Sequence, residues 1–132
     1  MKPVTQTIFS KEGNCFPACI ASILEIPLGS IPNFCVEYPS DWLVETNRWL
    51  GKNHGFALIL IQALGEPDQL PAFATDVYHI MSGPAERGLQ HSVVGRNGIM
   101  VHDPHPSGAG LTKVKIWDFF VAVDPEGKRW GK

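Results

Sequence analysis

The segment GNCFPACIASIL, residues 13–24, holds the strongest structural signal of the chain, because the sequence pattern changes at its first cysteine. From Cys15 onward, apolar residues recur at the spacing of a helix, and Pro17 suits the first turn. The pattern therefore predicts a helix at about 15–25, with Cys15 at its N-terminal end.

The segments that follow predict one more helix and then a series of strands. Ser40 or Asp41 suits the start of a helix at about 40–51, which could end at Gly51 or at Gly55. Helices followed by antiparallel strands predict an α+β fold. The short apolar or alternating runs that predict these strands are 56–62, 76–82, 89–95, 98–104 and 116–124.

Length, charge and cysteine content narrow the class of protein. The 132 residues, 44% of them apolar and 18% charged, suit a single domain over 1–132 with one buried core. A formal net charge of -2 predicts no basic surface for a nucleic acid, and the longest apolar run, 56–61, is too short for a membrane span. The three cysteines cannot close into a disulfide framework. We therefore expect a cytoplasmic protein with free thiols, without a nucleic-acid or membrane partner, and without a cofactor or metal.

Cys15 is the candidate nucleophile. At the start of a helix several backbone N–H groups lack a partner and the helix dipole is positive, and both effects favour a thiolate over a thiol. The same N–H groups suit the oxyanion that forms when a thiolate attacks a carbonyl. Of the other thiols, Cys19 is expected in the core, and Cys35 in the core or in a loop that packs on it.

A nucleophilic cysteine needs a base, and His91 in the predicted strand LQHSVVG is the candidate. A two-residue Arg96-Asn97 loop would place His91 opposite His102. A three-residue loop ending at a left-handed Gly98 would place it opposite Asp103. The second register gives a continuous apolar face that ends in a His–Asp pair, so it is the register we expect.

These segments together resemble the papain-like cysteine peptidases, and most closely their C39-peptidase-like branch. The resemblance lies in a glutamine upstream of the cysteine (Gln6), in GNCFPACIASIL, in HSVV, and in VHDP after a short hairpin. It covers residues 6–25 and 89–104 and has the order Cys, His, Asp. It implies a papain-like fold, in which an N-terminal helix carrying the cysteine packs on an antiparallel sheet carrying the histidine and the aspartate.

The resemblance also implies a catalytic role for each matching residue. Cys15 would be the nucleophile, His91 the general base and acid, and Asp103 the group that orients the histidine. Either Gln6 or Asn14 would donate a hydrogen bond to the oxyanion. The reaction would be attack on an amide or thioester carbonyl of a peptide or protein, through an acyl-enzyme, with hydrolysis, acyl transfer and deamidation all open.

Three further interpretations concern the surroundings of this site. The loop GPAERG (83–88) predicts a cleft edge, where Arg87, beside Gly88, could bind a substrate carboxylate or simply be solvated. A papain-like scaffold could also serve as a binding protein without turnover. A zinc site is the other alternative, and its ligands would come from His91, His102, Asp103, His105 and either Cys15 or Cys19.

Overall fold

Three α-helices lie in the N-terminal half of the chain, as seen in a computed structural model that describes residues 1–63 and 70–131. Helix α1 spans Cys15–Leu24, α2 spans Phe34–Glu37 and α3 spans Trp42–His54. The helix predicted at 15–25 is confirmed. Within the described ranges, no single helix has the length and apolar character needed to cross a membrane.

Helix α3 differs at its start from the helix predicted at 40–51. It begins at Trp42, and although Asp41 is in the N-cap position, its side chain makes no capping hydrogen bond. At the other end, Gly55 adopts a left-handed conformation with φ of 72°, so the later of the two predicted ends is the real one. Thr46 and Leu50 face the core from this helix.

In the described part of the chain, five strands form one antiparallel sheet in the order β1-β5-β2-β3-β4. The α+β fold with helices packed on an antiparallel sheet is therefore confirmed. The first predicted strand has the expected bounds, whereas the others are shifted by one or two residues or are shorter. The strands are β1 (Phe56–Gln62), β2 (Tyr78–Pro84), β3 (Gln90–Arg96), β4 (Ile99–His102) and β5 (Ile116–Ala122).

The sheet buries side chains on both faces. Helix α1 packs on β3 and β2, and α3 packs on β1. Because side chains alternate between the faces of a strand, neighbours such as Ile80 and Met81 belong to different clusters. The cluster under the helices includes Phe16, Ile20, Phe34, Leu50, Leu58, Ile80 and Val94. The cluster on the opposite face comprises Ala74, Met81, Val93, Trp117 and Phe119.

The β3–β4 hairpin has neither of the two registers considered from sequence. Arg96 pairs with Ile99, and the turn is Asn97-Gly98, with φ of 55° and 77°. Positive φ at both central residues defines a type I′ turn, for which Asn-Gly is a preferred pair. The prediction failed because it included Arg96 in the loop.

The apolar face predicted for β4 is also wrong. Ile99, Met100 and Val101 are all exposed. The register shifts between Gly95 and Val94, so that Val94 lies opposite His102 and β4 ends before it reaches the level of His91. The predicted strand 98–104 therefore stops at His102, and Asp103 lies in the loop beyond it.

Candidate active site

Cys15 is the first residue of α1, and its half-buried thiol faces β3. Burial raises the pKa of the Cys15 thiol, although the N–H and hydroxyl of Ser92 and the N–H groups of Cys15 and Phe16 act to lower it. The helix-start effect predicted from sequence is therefore present, but burial outweighs it. The prediction of a lowered pKa is wrong for this structure.

Asn14 fixes the segment that leads into α1. The N–H groups of Thr7 and Ile8 donate to Asn14 Oδ1 at 2.9 and 3.0 Å, and Asn14 Nδ2 donates to Thr7 Oγ1 at 2.9 Å. Gly13 permits this fold of the backbone, since a Cβ atom there would lie 2.8 Å from the Ile8 carbonyl oxygen. The Asn14 side chain is thus occupied in holding residues 7 and 8 against the helix start.

His91 and Asp103 form a buried pair. His91 Nε2 lies 2.6 Å from Asp103 Oδ1, and both side chains are 2% exposed. The N–H groups of His105 and Gly110 donate to the two carboxylate oxygens at 2.9 and 2.8 Å. Burial opposes ionisation of Asp103, but the hydrogen bonds from His91, His105 and Gly110 together lower its pKa. Asp103 is therefore a carboxylate at neutral pH.

The pair leaves the other ring nitrogen of His91 for chemistry. A carboxylate only accepts hydrogen bonds, so the Nε2–H group donates to Asp103, and Nδ1 of the neutral ring carries a lone pair. Among the described residues, Nδ1 makes no hydrogen bond, and none joins the ring to the Cys15 sulfur. Cys15 and His91 nevertheless line the same cleft.

The cleft has a volume of about 270 Å³ and lies between the helices and the sheet. Besides Cys15 and His91, its lining includes the hydroxyl-bearing Ser82 and Ser92, whose Oγ atoms are 2.9 Å apart. Gly83, paired with His91 across β2 and β3, leaves room for the Lys113 backbone. Apolar side chains of both layers complete the walls: Phe16, Trp42, Leu60 and Ile116.

Gln6, and not Asn14, lies beside Cys15 and His91. It lines a recess of about 30 Å³ together with Cys15 and His91, whereas Asn14 lines neither this recess nor the cleft. The Gln6 N–H donates to the Pro104 carbonyl at 3.0 Å, which ties it to the loop that carries Asp103. Its Nε2 atom donates one hydrogen to the Ile8 carbonyl at 2.8 Å, and an amide nitrogen carries a second.

Arg87 and Gly88 lie in the exposed turn between β2 and β3. Arg87 lines the outer part of the recess with Gln6 and His91. Gly88 has φ of 79° and supplies the left-handed residue that the turn requires, but it lines no part of the cleft. Of the two, only Arg87 is brought to the site.

Sequence reasoning missed several residues of the cleft and misplaced Cys35. Asp118, in β5, and Ser92 both line it, and neither was singled out. Cys19 is fully buried, as predicted, but Cys35 is exposed on α2 and lines the cleft instead of packing into the core. An aspartate within the apolar run IWDFFVA was the one available signal for Asp118.

The histidines considered for zinc make other contacts. His102 Nε2 pairs with the Val4 carbonyl oxygen at 2.8 Å, and His105 Nδ1 with Ser107 Oγ at 2.9 Å. Across residues 1–63 and 70–131, no three His, Cys, Asp or Glu side chains are grouped so that they could hold a metal ion.

In comparisons with protein-family models, curated proteins and solved structures, none matched this chain.

Proposed function

We propose that this protein is a cysteine hydrolase of papain-like fold that cleaves an amide bond of a peptide or protein through Cys15, His91 and Asp103. One observation carries the proposal: the Cys15 thiol at the start of α1 and His91, which is hydrogen-bonded to a buried Asp103, line one cleft. The resemblance of residues 6–25 and 89–104 to papain-like peptidases led to the same three residues.

Acylation begins with proton transfer from the Cys15 thiol to His91 Nδ1. The thiolate then attacks the substrate carbonyl carbon and forms a C–S bond, and the carbonyl oxygen becomes an oxyanion. The imidazolium returns its proton to the leaving amine as the C–N bond breaks. Asp103 holds the ring in place and stabilises its positive charge throughout.

Deacylation repeats these steps with water. His91 Nδ1 removes a proton from water, the hydroxide attacks the thioester carbon, and the C–S bond breaks with the proton returning to sulfur. The products are a carboxylic acid and the free Cys15 thiol. An amine in place of water would give acyl transfer by the same proton movements.

Two donors fit the oxyanion. The backbone N–H of Cys15 lies in the first turn of α1, where helical N–H groups lack an intrahelical acceptor. The second hydrogen on Gln6 Nε2 supports Gln6 as the other donor, because Gln6 shares the recess with Cys15 and His91. Asn14 is better suited to a structural role, since its side chain already makes three hydrogen bonds.

Selective alkylation tests the proposal. The purified protein is treated with iodoacetamide at about pH 6, where an ordinary thiol is almost fully protonated, and each cysteine is followed by peptide mass spectrometry. Cys15 is expected to react about tenfold or more faster than Cys35, because His91 can accept its proton. The His91→Ala variant is expected to lose this advantage.

Cys35 is the matched control within the same chain. It lines the same cleft, burial raises the pKa of both thiols, and Cys35 is the more exposed of the two. If access alone governed the reaction, Cys35 would react first. Equal rates, or a faster Cys35, would contradict the proposal, as would a Cys15→Ala variant that keeps full activity on any substrate.

A further inference from the structure

Asp118 is a buried carboxyl group that the reaction above does not use. It lies on β5 between Leu60 of β1 and Ile80 of β2, and it lines the cleft together with Cys15. The residue is 2% exposed, and its Oδ1 atom has no hydrogen-bond partner in the described part of the chain. Folded proteins normally compensate a buried polar group with a partner, and the described residues supply none to Asp118 Oδ1.

The cations of the cleft do not provide that partner. Lys11 and Lys115 line it, but both are exposed. Among the ion pairs of residues 1–63 and 70–131, none involves Asp118. Within the described ranges Asp118 therefore has no cationic partner, and the ammonium group of a ligand would supply one.

The walls around this carboxyl group are apolar. Phe16 and Trp42 pack edge to face with ring centroids 5.5 Å apart, and Leu60 and Ile116 line the sheet side. Ligand sites typically combine apolar walls with a few polar groups that fix orientation. Apolar walls and a single carboxyl group suit a ligand with an apolar stem and a cationic end.

We propose that Asp118 determines substrate specificity: the cleft accepts an acyl group whose side chain ends in a primary ammonium group, as a lysine side chain does. This inference rests on the proposed function, because it places the acyl carbonyl at Cys15. The methylene stem then lies between Phe16 and Ile116, and the ammonium group donates to Asp118.

The discrimination against a neutral side chain follows from what is left unpaired. A norleucine side chain fills the same space but leaves Asp118 Oδ1 without a donor. A site built around a polar group rejects a ligand that lacks the complementary group more strongly than it rejects one of a different length. We therefore expect lysine to be favoured over norleucine.

Binding of small probes tests the amine site without any chemistry at Cys15. Pentylammonium chloride and 1-pentanol are titrated separately into the ¹⁵N-labelled protein, and the amide resonances of Ile80 and Phe119 are followed by NMR. Pentylammonium is expected to bind about tenfold or more tightly than pentanol. Equal affinities in the wild-type protein would overturn the inference, and this comparison needs no variant.

Two variants test whether Asp118 causes the preference for pentylammonium over pentanol. In Asp118→Asn, a near-isosteric change whose folding the same spectra verify, the two probes are expected to bind within about twofold of each other. The matched control is Glu126→Gln, which removes an exposed carboxylate outside the cleft lining and should leave the wild-type preference intact. A preference for ammonium that survives in Asp118→Asn would overturn the assignment of Asp118.

A covalent arm separates this inference from the proposed function. Lysyl and norleucyl chloromethyl ketones are compared for their rate of labelling of Cys15, and the lysyl probe is expected to react about tenfold or more faster. Equal rates would overturn the inference while supporting a reactive Cys15. If neither ketone labels Cys15 but pentylammonium still binds at Asp118, the proposed function fails and the amine site is supported.

Discussion

Asp103 and Asp118 both bury a carboxyl group near the cleft, but their surroundings differ in hydrogen-bond donors. Asp103 accepts hydrogen bonds from His91 and from the N–H groups of His105 and Gly110, and its pKa is lowered. Asp118 has an Oδ1 atom without a partner in the described chain, and burial raises its pKa to about 7.

The difference in hydrogen-bond donors separates two kinds of buried carboxyl group: one that the chain itself compensates and one that a ligand can compensate. Asp103 is held by the chain itself, so the orientation of His91 is fixed before any substrate arrives. Asp118 Oδ1 has no compensating donor among residues 1–63 and 70–131, so a ligand that donates to it gains an interaction that these residues do not supply. Under the two proposals, one buried carboxyl group therefore positions His91 and the other recognises the substrate.

The largest expected effect is on stability, in the Asp118→Asn variant. In an unfolded chain the Asp118 pKa is ordinary, near 3.8, and in the folded protein it is about 7. Ionised Asp118 therefore destabilises the folded state. This destabilisation is zero below about pH 4, increases between about pH 4 and pH 7, and is constant above about pH 7. The upper bound is about 4 kcal/mol, or about a thousandfold in the unfolding equilibrium constant.

Asparagine has no charge to desolvate, so we expect Asp118→Asn to be more stable than the wild-type protein at about pH 8 and to lose that advantage near pH 4. Urea unfolding of both proteins at the two pH values measures the difference, and the other titrating groups cancel between them. Asp103→Asn should show the opposite sign at about pH 8, because a lowered pKa means that ionised Asp103 stabilises the fold. If the difference in free energy of unfolding between the wild-type protein and Asp118→Asn did not change with pH, the predicted contrast between the two carboxyl groups would be wrong.

The second effect is on reactivity, in the Asp103→Asn variant. An asparagine cannot accept all three hydrogen bonds that the carboxylate accepts, and it no longer fixes the Nε2–H tautomer of His91. We expect the rate of Cys15 alkylation by iodoacetamide at about pH 6 to fall on the order of a hundredfold. Glu126→Gln is the control and should alkylate at the wild-type rate. An Asp103→Asn rate within about threefold of the wild-type value would show that Asp103 does not act through His91.

Local sequence signals account for the parts of the site that depend on one element. Helical spacing and Pro17 were sufficient to place Cys15 at the start of α1, and the run HSVV placed His91 in a strand. The pairing of His91 with Asp103 was expected for the wrong reason. Asp103 reaches His91 from a loop beyond β4 and not as its cross-strand partner. The Asn97-Gly98 turn and the register shift at Gly95 give β3 and β4 different cross-strand pairs from those predicted.

The features that sequence did not reveal depend on non-local packing. Asp118 reaches the cleft because β5 inserts between β1 and β2, an order that no local pattern predicts. The raised pKa of Cys15 depends on how deeply the helix start is buried against β3, which spacing along the chain does not report. Cys35 was misplaced because the four-residue α2 that exposes it is too short to give a periodic signal.

The smallest expected effect is on oxyanion stabilisation, and it distinguishes Gln6 from Asn14 as the side-chain donor. A chloromethyl ketone develops an oxyanion when the thiolate attacks its carbonyl, whereas iodoacetamide reacts at a methylene carbon and develops none, so the ratio of the two labelling rates reports oxyanion stabilisation. We expect Gln6→Ala to lower this ratio about tenfold, because Cys15 N–H remains as the only donor. Asn14→Asp should lower it by less than about threefold, since a carboxylate can still accept from the Thr7 and Ile8 N–H groups and is favoured near a helix N-terminus. If Asn14→Asp had the larger effect, the side chain that donates to the oxyanion would be that of Asn14 and not that of Gln6.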